Sequence, residues 1–270
     1  RYRLQSDACV LRINVGISVR FLEISMAAPE GMSRSKSGGN ERVPLKNRIS
    51  RILLPRFIRK RIFSFMFNSI KHDRMRPEPG VPIRELQPQH ISNLEVLANR
   101  QMLLEKMPTG SICAEVGVDR GDFSRQILDI VKPEKLYLID LWGDARYNDD
   151  VMNEVKSKLS AEIKSGQVEI CRGYSHEVLA DFEDGILDWA YIDTDHTYQT
   201  TKKELDVCAT KVKSGGIIAG HDYVMGTWNA WVRYGVIEAV NEFCVDQNWE
   251  MVYRTTEMKT APSFALRKMQ

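Results

Sequence analysis

The stretch SICAEVGVDRGDFSRQILDIVKPEKLYLID, residues 111–140, reads as strand, turn, helix and strand. Ser111 to Val118 is a short apolar run of the kind that forms a buried strand. Phe123, Ile127, Ile130 and Val131 then fall at i, i+4, i+7 and i+8, one face of a helix, and Lys135 to Asp140 is a second strand. The alternation continues outward. Val151, Val155 and Leu159 mark a second helix, Val168 to Arg172 a third strand and Leu187 to Asp193 a fourth. Leu205, Cys208, Ala209 and Val212 give another helical face, and Ser214-Gly215-Gly216 predicts a turn into a fifth strand, Ile217 to Gly220. Val236, Val240, Phe243 and Cys244 mark the last helix, and Trp249 to Thr255 and Ser263 to Arg267 read as an antiparallel pair. Strands alternating with helices of this length predict an α/β fold: a doubly wound, mostly parallel sheet of seven strands ending in an antiparallel C-terminal hairpin. Ligands of such sheets bind beyond the carboxyl ends of the strands, near the switch point after the first strand.

The 270 residues carry 43% hydrophobic and 27% charged side chains, which excludes fibrous and wholly disordered classes. The longest oily run, Ile62 to Ile70, is nine residues between Arg61 and Lys71, against about twenty for a membrane-spanning helix. Five cysteines (Cys9, Cys113, Cys171, Cys208, Cys244) lie far apart with no C-x-x-C pair. That argues against a disulfide framework or structural zinc and for a reducing compartment, with the cytoplasm as the expectation. The net charge of +2 is unevenly spread: Ser33 to Arg76 holds thirteen Lys or Arg against Glu41 and Asp73, an excess of +11. Residues 1–32 add +1, so Pro77 to Gln270 must sum to 2 − 11 − 1 = −10. A mildly acidic body of this kind argues against nucleic acid as a partner.

The expected organisation is a basic, partly disordered arm over 1–76, a Pro-rich linker over 77–90 and one folded domain over 91–270. The first residue is Arg, and Met26 and Met32 are candidate starts. Residues 33–40 read as a flexible linker. Residues 49–70 interleave Arg and Lys with Ile, Leu and Phe, as in RILLPRFIRKRIFSFMF. Three readings stay open for that segment: contact with an anionic membrane surface, organelle targeting, or a helix packed on the domain.

Between the first strand and helix stand Glu115-Val116-Gly117-Val118-Asp119-Arg120-Gly121, then Asp122. Glycines at 117 and 121 let the backbone turn tightly beside a ligand, and the helix N-terminus offers free N–H groups. Asp140 ends the next strand, 23 residues after Gly117, where a carboxylate accepts both hydroxyls of a ribose. Together these point to a nucleoside-containing cofactor. The spacing is not the G-x-G-x-x-G of NAD sites, and no second catalytic domain remains for a dehydrogenase.

From Ile91 to Lys268 the sequence resembles the class I S-adenosylmethionine-dependent methyltransferases, a Rossmann-like family. AEVGVDRGDFS is similar to their first motif, YLIDLW to the acidic ribose-binding strand end and RGYS to the segment flanking the adenine. YIDTDHTY (Tyr191 to Tyr198) and SGGIIAGHDY (Ser214 to Tyr223) resemble the subgroup pattern I-D-G-D-H-x-Y followed by P-G-G-x-I-x-G-H-D-Y, with Thr194 for the usual Gly and Ser214 for the usual Pro. The tail YGVIEAVNEF and the final SFALRK also fit the subgroup. The resemblance implies that Glu115, Gly117 and Gly121, with Val118, shape the methionine end of a cofactor pocket. Asp140 would hold the ribose with Leu141 and Trp142 beside it, Ser175 the adenine side, and Asp193 the reacting end.

Asp193 ends the fourth strand, and His221 and Asp222 end the fifth, so a βαβ crossover brings them to neighbouring strand ends. Carboxylates suit Mg²⁺ and an imidazole tilts preference towards Mn²⁺, Fe²⁺ or Zn²⁺; a polar rim without metal is the other reading. Metal-dependent catechol-type and macrocin-type O-methyltransferases look similar here. By that analogy Asp193, His221 and Asp222 are metal ligands, and His196 stands where the catechol-type enzymes place a catalytic Lys. An alcohol or phenol acceptor needs its proton removed, and His196 and His221 are the histidines placed to do so. Trp228, Trp231 and Tyr234 read as a lid or acceptor wall, or as plain packing. The expected function is O-methylation of a small molecule by S-adenosylmethionine, assisted by Mg²⁺ or another divalent cation. A cephalosporin hydroxylase-like or NAD-using enzyme on this fold, a non-catalytic binding module, and association into homo-oligomers stay open.

Overall fold

The computed structural model describes residues 79–227, 232–257 and 260–270, together with Lys60, Arg61, Ser64, Phe65, Asn68 and Ser69. Those six are helical and exposed. The rest of the 49–70 segment, the linker over 33–40, Cys9, Trp228 and Trp231 lie outside the described residues.

The elements run β1 (Glu95–Leu97), α1 (Arg100–Glu105), β2 (Ile112–Val116), α2 (Asp122–Ile130), β3 (Lys135–Asp140), α3 (Asp149–Lys158), α4 (Ser160–Ser165) and β4 (Val168–Arg172). There follow α5 (Ser175–Ala180), β5 (Leu187–Ile192), α6 (Tyr198–Lys211), β6 (Val212–Gly220), β7 (Gly226–Thr227), β8 (Val232–Arg233), α7 (Val236–Gln247), β9 (Trp249–Thr255) and β10 (Phe264–Lys268). One sheet has the order β1-β9-β10-β6-β5-β2-β3-β4. Strands β6, β5, β2, β3 and β4 are parallel, and β10 runs antiparallel to both β6 and β9. The α/β class, the doubly wound sheet and the closing hairpin are as the sequence predicts.

Three local expectations need correction. The sheet has eight strands rather than seven, because β1 adds a three-residue edge strand parallel to β9. With two of its three residues exposed, it carries no apolar run to read. The turn expected at Ser214–Gly216 is instead an irregularity inside β6: between Leu187 and Trp189 the partner jumps from Val212 to Ile217. Val212, read as a helix-face residue, is accordingly the first residue of β6.

Alternation along the strands sends side chains to two cores. Trp189 and Tyr191 of β5 join Leu103, Phe123, Ile127 and Val155 on one face of the sheet. Ala190 and Ile192 join Leu179, Leu205, Val240 and Phe243 on the other. Helices α1 to α3 thus cover one face and α5 to α7 the other. Cys113, Cys208 and Cys244 are buried free thiols, and burial pushes their pKa values up. Among the described residues no helix is long and apolar enough to cross a membrane.

Candidate active site

The carboxyl ends of β3, β2 and β5 stay locked together just past the strands. Gly117 N donates to Ile139 O at 2.8 Å, and Asp193 N donates to Val116 O at 2.7 Å. Gly117 has φ +90°, and a Cβ there would lie 2.0 Å from the Asp193 carbonyl oxygen. Only glycine fits this approach. The chain then turns through Val118–Gly121, and Gly121, at φ +73°, is the N-cap of α2. The opening above these strand ends is a cavity of about 530 Å³, within the range of small-ligand sites.

Asp140 lies at the centre of that wall. Its Oδ2 accepts from Val118 N at 2.8 Å and Asp119 N at 3.2 Å, and its Oδ1 accepts from Trp142 N at 3.0 Å. A carboxylate offers about four acceptor sites. Three are therefore used to hold the loops after β2 and β3, leaving one on Oδ1 for a ligand hydroxyl rather than the two that the ribose expectation asks for. Trp142 is 1% exposed, and its indole N–H donates to Asp119 O at 3.2 Å, so it braces the same loop. Leu141 beside it is 39% exposed at the cavity edge.

Ser175 lines the cavity, but its hydroxyl donates to Glu204 of α6. Thr194 Oγ1 donates to the other Glu204 oxygen at 2.9 Å. Burial pushes Glu204 up to about 7, against the pull of the two hydroxyls. This buried carboxyl ties the loop after β4 to the loop after β5. Tyr174, just before Ser175, is exposed on the cavity wall.

Asp193, His196, His221 and Asp222 meet at the other end. One ligand atom each from Asp193, His196 and Asp222 lie within 4.8 Å of one another. His196 Nε2 is 3.3 Å from Asp222 Oδ2. His221 Nδ1 is 3.0 Å from Asp222 Oδ2 and 3.7 Å from Asp193 Oδ2, and its Nε2 is buried with no partner among the described residues. Both imidazoles therefore meet the carboxylates: His196 reaches Asp222, and His221 reaches Asp222 and, more distantly, Asp193. Burial opposes charge on His221, yet the Asp222 hydrogen bond and the Asp193 and Asp222 charges hold its pKa above the ordinary imidazole value. Burial raises Asp193 against the two histidines, whereas for Asp222 the His221 bond and both imidazoles overcome burial and hold it low.

Backbone strain gathers here. Six non-glycine residues among those described have positive φ, and four of them, Asp119, Trp142, His196 and Asp222, belong to this site. Such conformations cost on the order of 1–3 kcal/mol each and persist where the surroundings impose them. The His196 ring rests 4.7 Å from Tyr234, and Gly235 N donates to His196 O at 2.9 Å, so the segment after β8 holds His196 in place.

One protonation state and one residue escape the sequence reading. Glu115 is 1% exposed, accepts from Ser124 Oγ, and is pushed up to about 8 by burial. Sequence names its position but not its protonation. Arg100 reaches the cavity from α1, a six-residue helix that periodicity does not reveal. The donor set of Asp193, Asp222 and His196 fits a divalent cation, two hard carboxylates and one imidazole.

Residues 114–223 match the family model described as a methyltransferase domain, which is under half of the chain. Comparison with curated proteins found no match. Among solved structures the chain is similar to a proposed rRNA-methylase from Clostridium thermocellum, at 14% identity and TM-score 0.49 over 63% of this chain and 93% of that one. It is also similar to the M1A22 tRNA methyltransferase TrmK of B. subtilis, at 11% identity and TM-score 0.47 over 64% and 67%. A third is SMU.1697c, a proposed methyltransferase of Streptococcus mutans in complex with SAH, at 13% identity and TM-score 0.46 over 68% and 99%. At these identities and TM-scores nothing about activity or substrate passes to this chain. Over residues 114–223 the chain matches a methyltransferase domain, and that match supports methyl transfer of the S-adenosylmethionine-dependent kind.

Proposed function

We propose that this chain moves the methyl group of S-adenosylmethionine to an oxygen of a small-molecule acceptor, with a divalent cation assisting. The observation that carries the reading is the meeting of Asp193, His196, His221 and Asp222, of which Asp193 and His196 line the 530 Å³ cavity. Bound S-adenosylmethionine supplies a methyl already activated on sulfur, so the protein has to align the acceptor, exclude water and manage one proton. His196 stands in reach of that proton, with Asp222 at 3.3 Å to steady the imidazolium. His221, bonded to Asp222 through Nδ1, orients that carboxylate. Asp193 and Asp222 would hold a divalent cation, which would lower the pKa of the acceptor hydroxyl and leave the His196 imidazole free to take its proton. The cavity and the −10 charge of Pro77 to Gln270 support a small acceptor over nucleic acid.

The test is S-adenosylhomocysteine release from a panel of catechols, phenols and sugar alcohols, with Mg²⁺, Mn²⁺ or chelator. Turnover should fall about 100-fold or more in His196→Ala and Asp222→Asn. S-adenosylhomocysteine affinity should stay within about threefold, because neither residue faces the nucleoside end. Wild-type turnover in both variants would refute the assignment.

A further inference from the structure

His196 stands in a left-handed backbone conformation, φ +60°, which a residue with a Cβ keeps only where its surroundings impose it. What imposes it here comes from beyond residue 223, outside the matched domain. The Tyr234 ring packs on the His196 ring at 4.7 Å between centroids, tilted by 46°, a favoured geometry for an aromatic pair. Gly235 N donates to His196 O at 2.9 Å. A Cβ on Gly235 would lie 2.4 Å from Tyr198 N, so only glycine lets the chain come this close to the start of α6. Tyr234 is itself held on both sides. Its N–H donates to Met225 O at 3.1 Å beside the antiparallel β7–β8 pair, and Arg233 next to it forms a largely buried ion pair with Glu238 of α7.

Tyr234 does not line the cavity, whereas His196 does, so any effect of Tyr234 on a ligand passes through His196. Burial, with the charges of Asp222 and Asp193, pushes the Tyr234 phenol above its ordinary pKa, so the hydroxyl is protonated at neutral pH and takes no proton itself. What it contributes is the ring, which covers one side of the imidazole while Asp222 Oδ2 stands 3.3 Å from Nε2. We propose that Tyr234 is a positioning residue for the reaction: its ring, carried by the β7–β8 pair, holds the His196 imidazole against Asp222 in the orientation from which it takes the acceptor proton. The proposal rests on the proton-accepting role of His196 given above and adds to it a residue from outside the matched domain.

The experiment compares the full chain as wild type, Tyr234→Ala and Tyr234→Phe by two readouts. Turnover is measured with the best acceptor of the catechol, phenol and sugar-alcohol panel, and the imidazole nitrogens are followed by NMR, with His196→Ala assigning the His196 signals. Tyr234→Ala should lower kcat about 10- to 100-fold, the scale of a misplaced catalytic group, with KM and S-adenosylhomocysteine affinity within about threefold. It should also shift or broaden the His196 signals and leave those of His90 and His176 unmoved. Tyr234→Phe keeps the ring and should bring both readouts back close to wild type. An equal loss in Tyr234→Phe would assign the effect to the hydroxyl, and a kcat loss with unmoved His196 signals would assign it to contact with the acceptor; either overturns the proposal. So would unchanged turnover in Tyr234→Ala, and so would a matching loss of S-adenosylhomocysteine affinity, which would make the ring structural. A wild type that turns over no acceptor would instead remove the reading of His196 as the base, and the proposal with it.

Discussion

Gly117→Ala should destabilise the domain by about 3–5 kcal/mol and abolish S-adenosylhomocysteine binding. Two costs add. At φ +90° an alanine is strained by roughly 1–2 kcal/mol. Its Cβ would also lie 2.0 Å from the Asp193 carbonyl oxygen and 2.6 Å from the carbonyl carbon, which are backbone atoms that no rotamer change relieves. Relief requires β2 and β5 to part at their carboxyl ends, at the Asp193 N to Val116 O bond, and so displaces Asp193 from His196 and Asp222. Gly166→Ala separates the two costs, since Gly166 has φ +83° but nothing within 4 Å of its would-be Cβ. It should lose only about 1 kcal/mol in urea unfolding and bind normally. Equal losses in the two variants would show that the close approach of β2 and β5 is not what Gly117 serves.

Glu115→Gln should make the ligand-free protein more stable at pH 8 while weakening its hold on the cofactor. Burial pushes Glu115 from about 4.5 up to about 8 in the folded chain. Between those values the folded state keeps a proton that the unfolded chain has released. Stability therefore falls as pH rises through that window, by at most about 1.4 kcal/mol per unit for one group. The amide has no proton to lose and still accepts from Ser124 Oγ. The variant and the wild type should be similarly stable near pH 4.5 and differ by about 2–4 kcal/mol at pH 8, with the variant above. At pH 8, where about half of Glu115 is ionised, S-adenosylhomocysteine affinity should drop about threefold or more, because the amide offers the cofactor's ammonium group no charge. A buried carboxyl kept for binding at the expense of stability is a familiar trade at functional sites. Parallel stability curves from pH 4.5 to 8 would refute the raised pKa.

What could be read in advance follows from which signals are local. The strands β2, β3, β4 and β5 are short, mainly apolar runs with one or two charged residues each, bounded by polar turns, and their helices show one apolar face each, so order and type were legible. The strand-end placement of Gly117, Asp140, Asp193, His221 and Asp222 follows from topology alone. Side-chain occupancy does not. Asp140 spends three acceptor sites on Val118, Asp119 and Trp142, and the Ser175 hydroxyl goes to Glu204, a residue in mid-helix with no motif around it. That His221 reaches both carboxylates while His196, at a left-handed φ of +60°, reaches Asp222 is a matter of side-chain placement that no spacing announces. Arg100 was hidden because α1 is too short for periodicity and reaches the site only through tertiary packing.

The most direct measurement is calorimetric titration of the unmodified chain with S-adenosylhomocysteine and, separately, with NAD⁺. The account predicts micromolar binding of S-adenosylhomocysteine, one site per chain, unaffected by NAD⁺. Binding of NAD⁺ alone, or of neither ligand by well-folded protein, would contradict it.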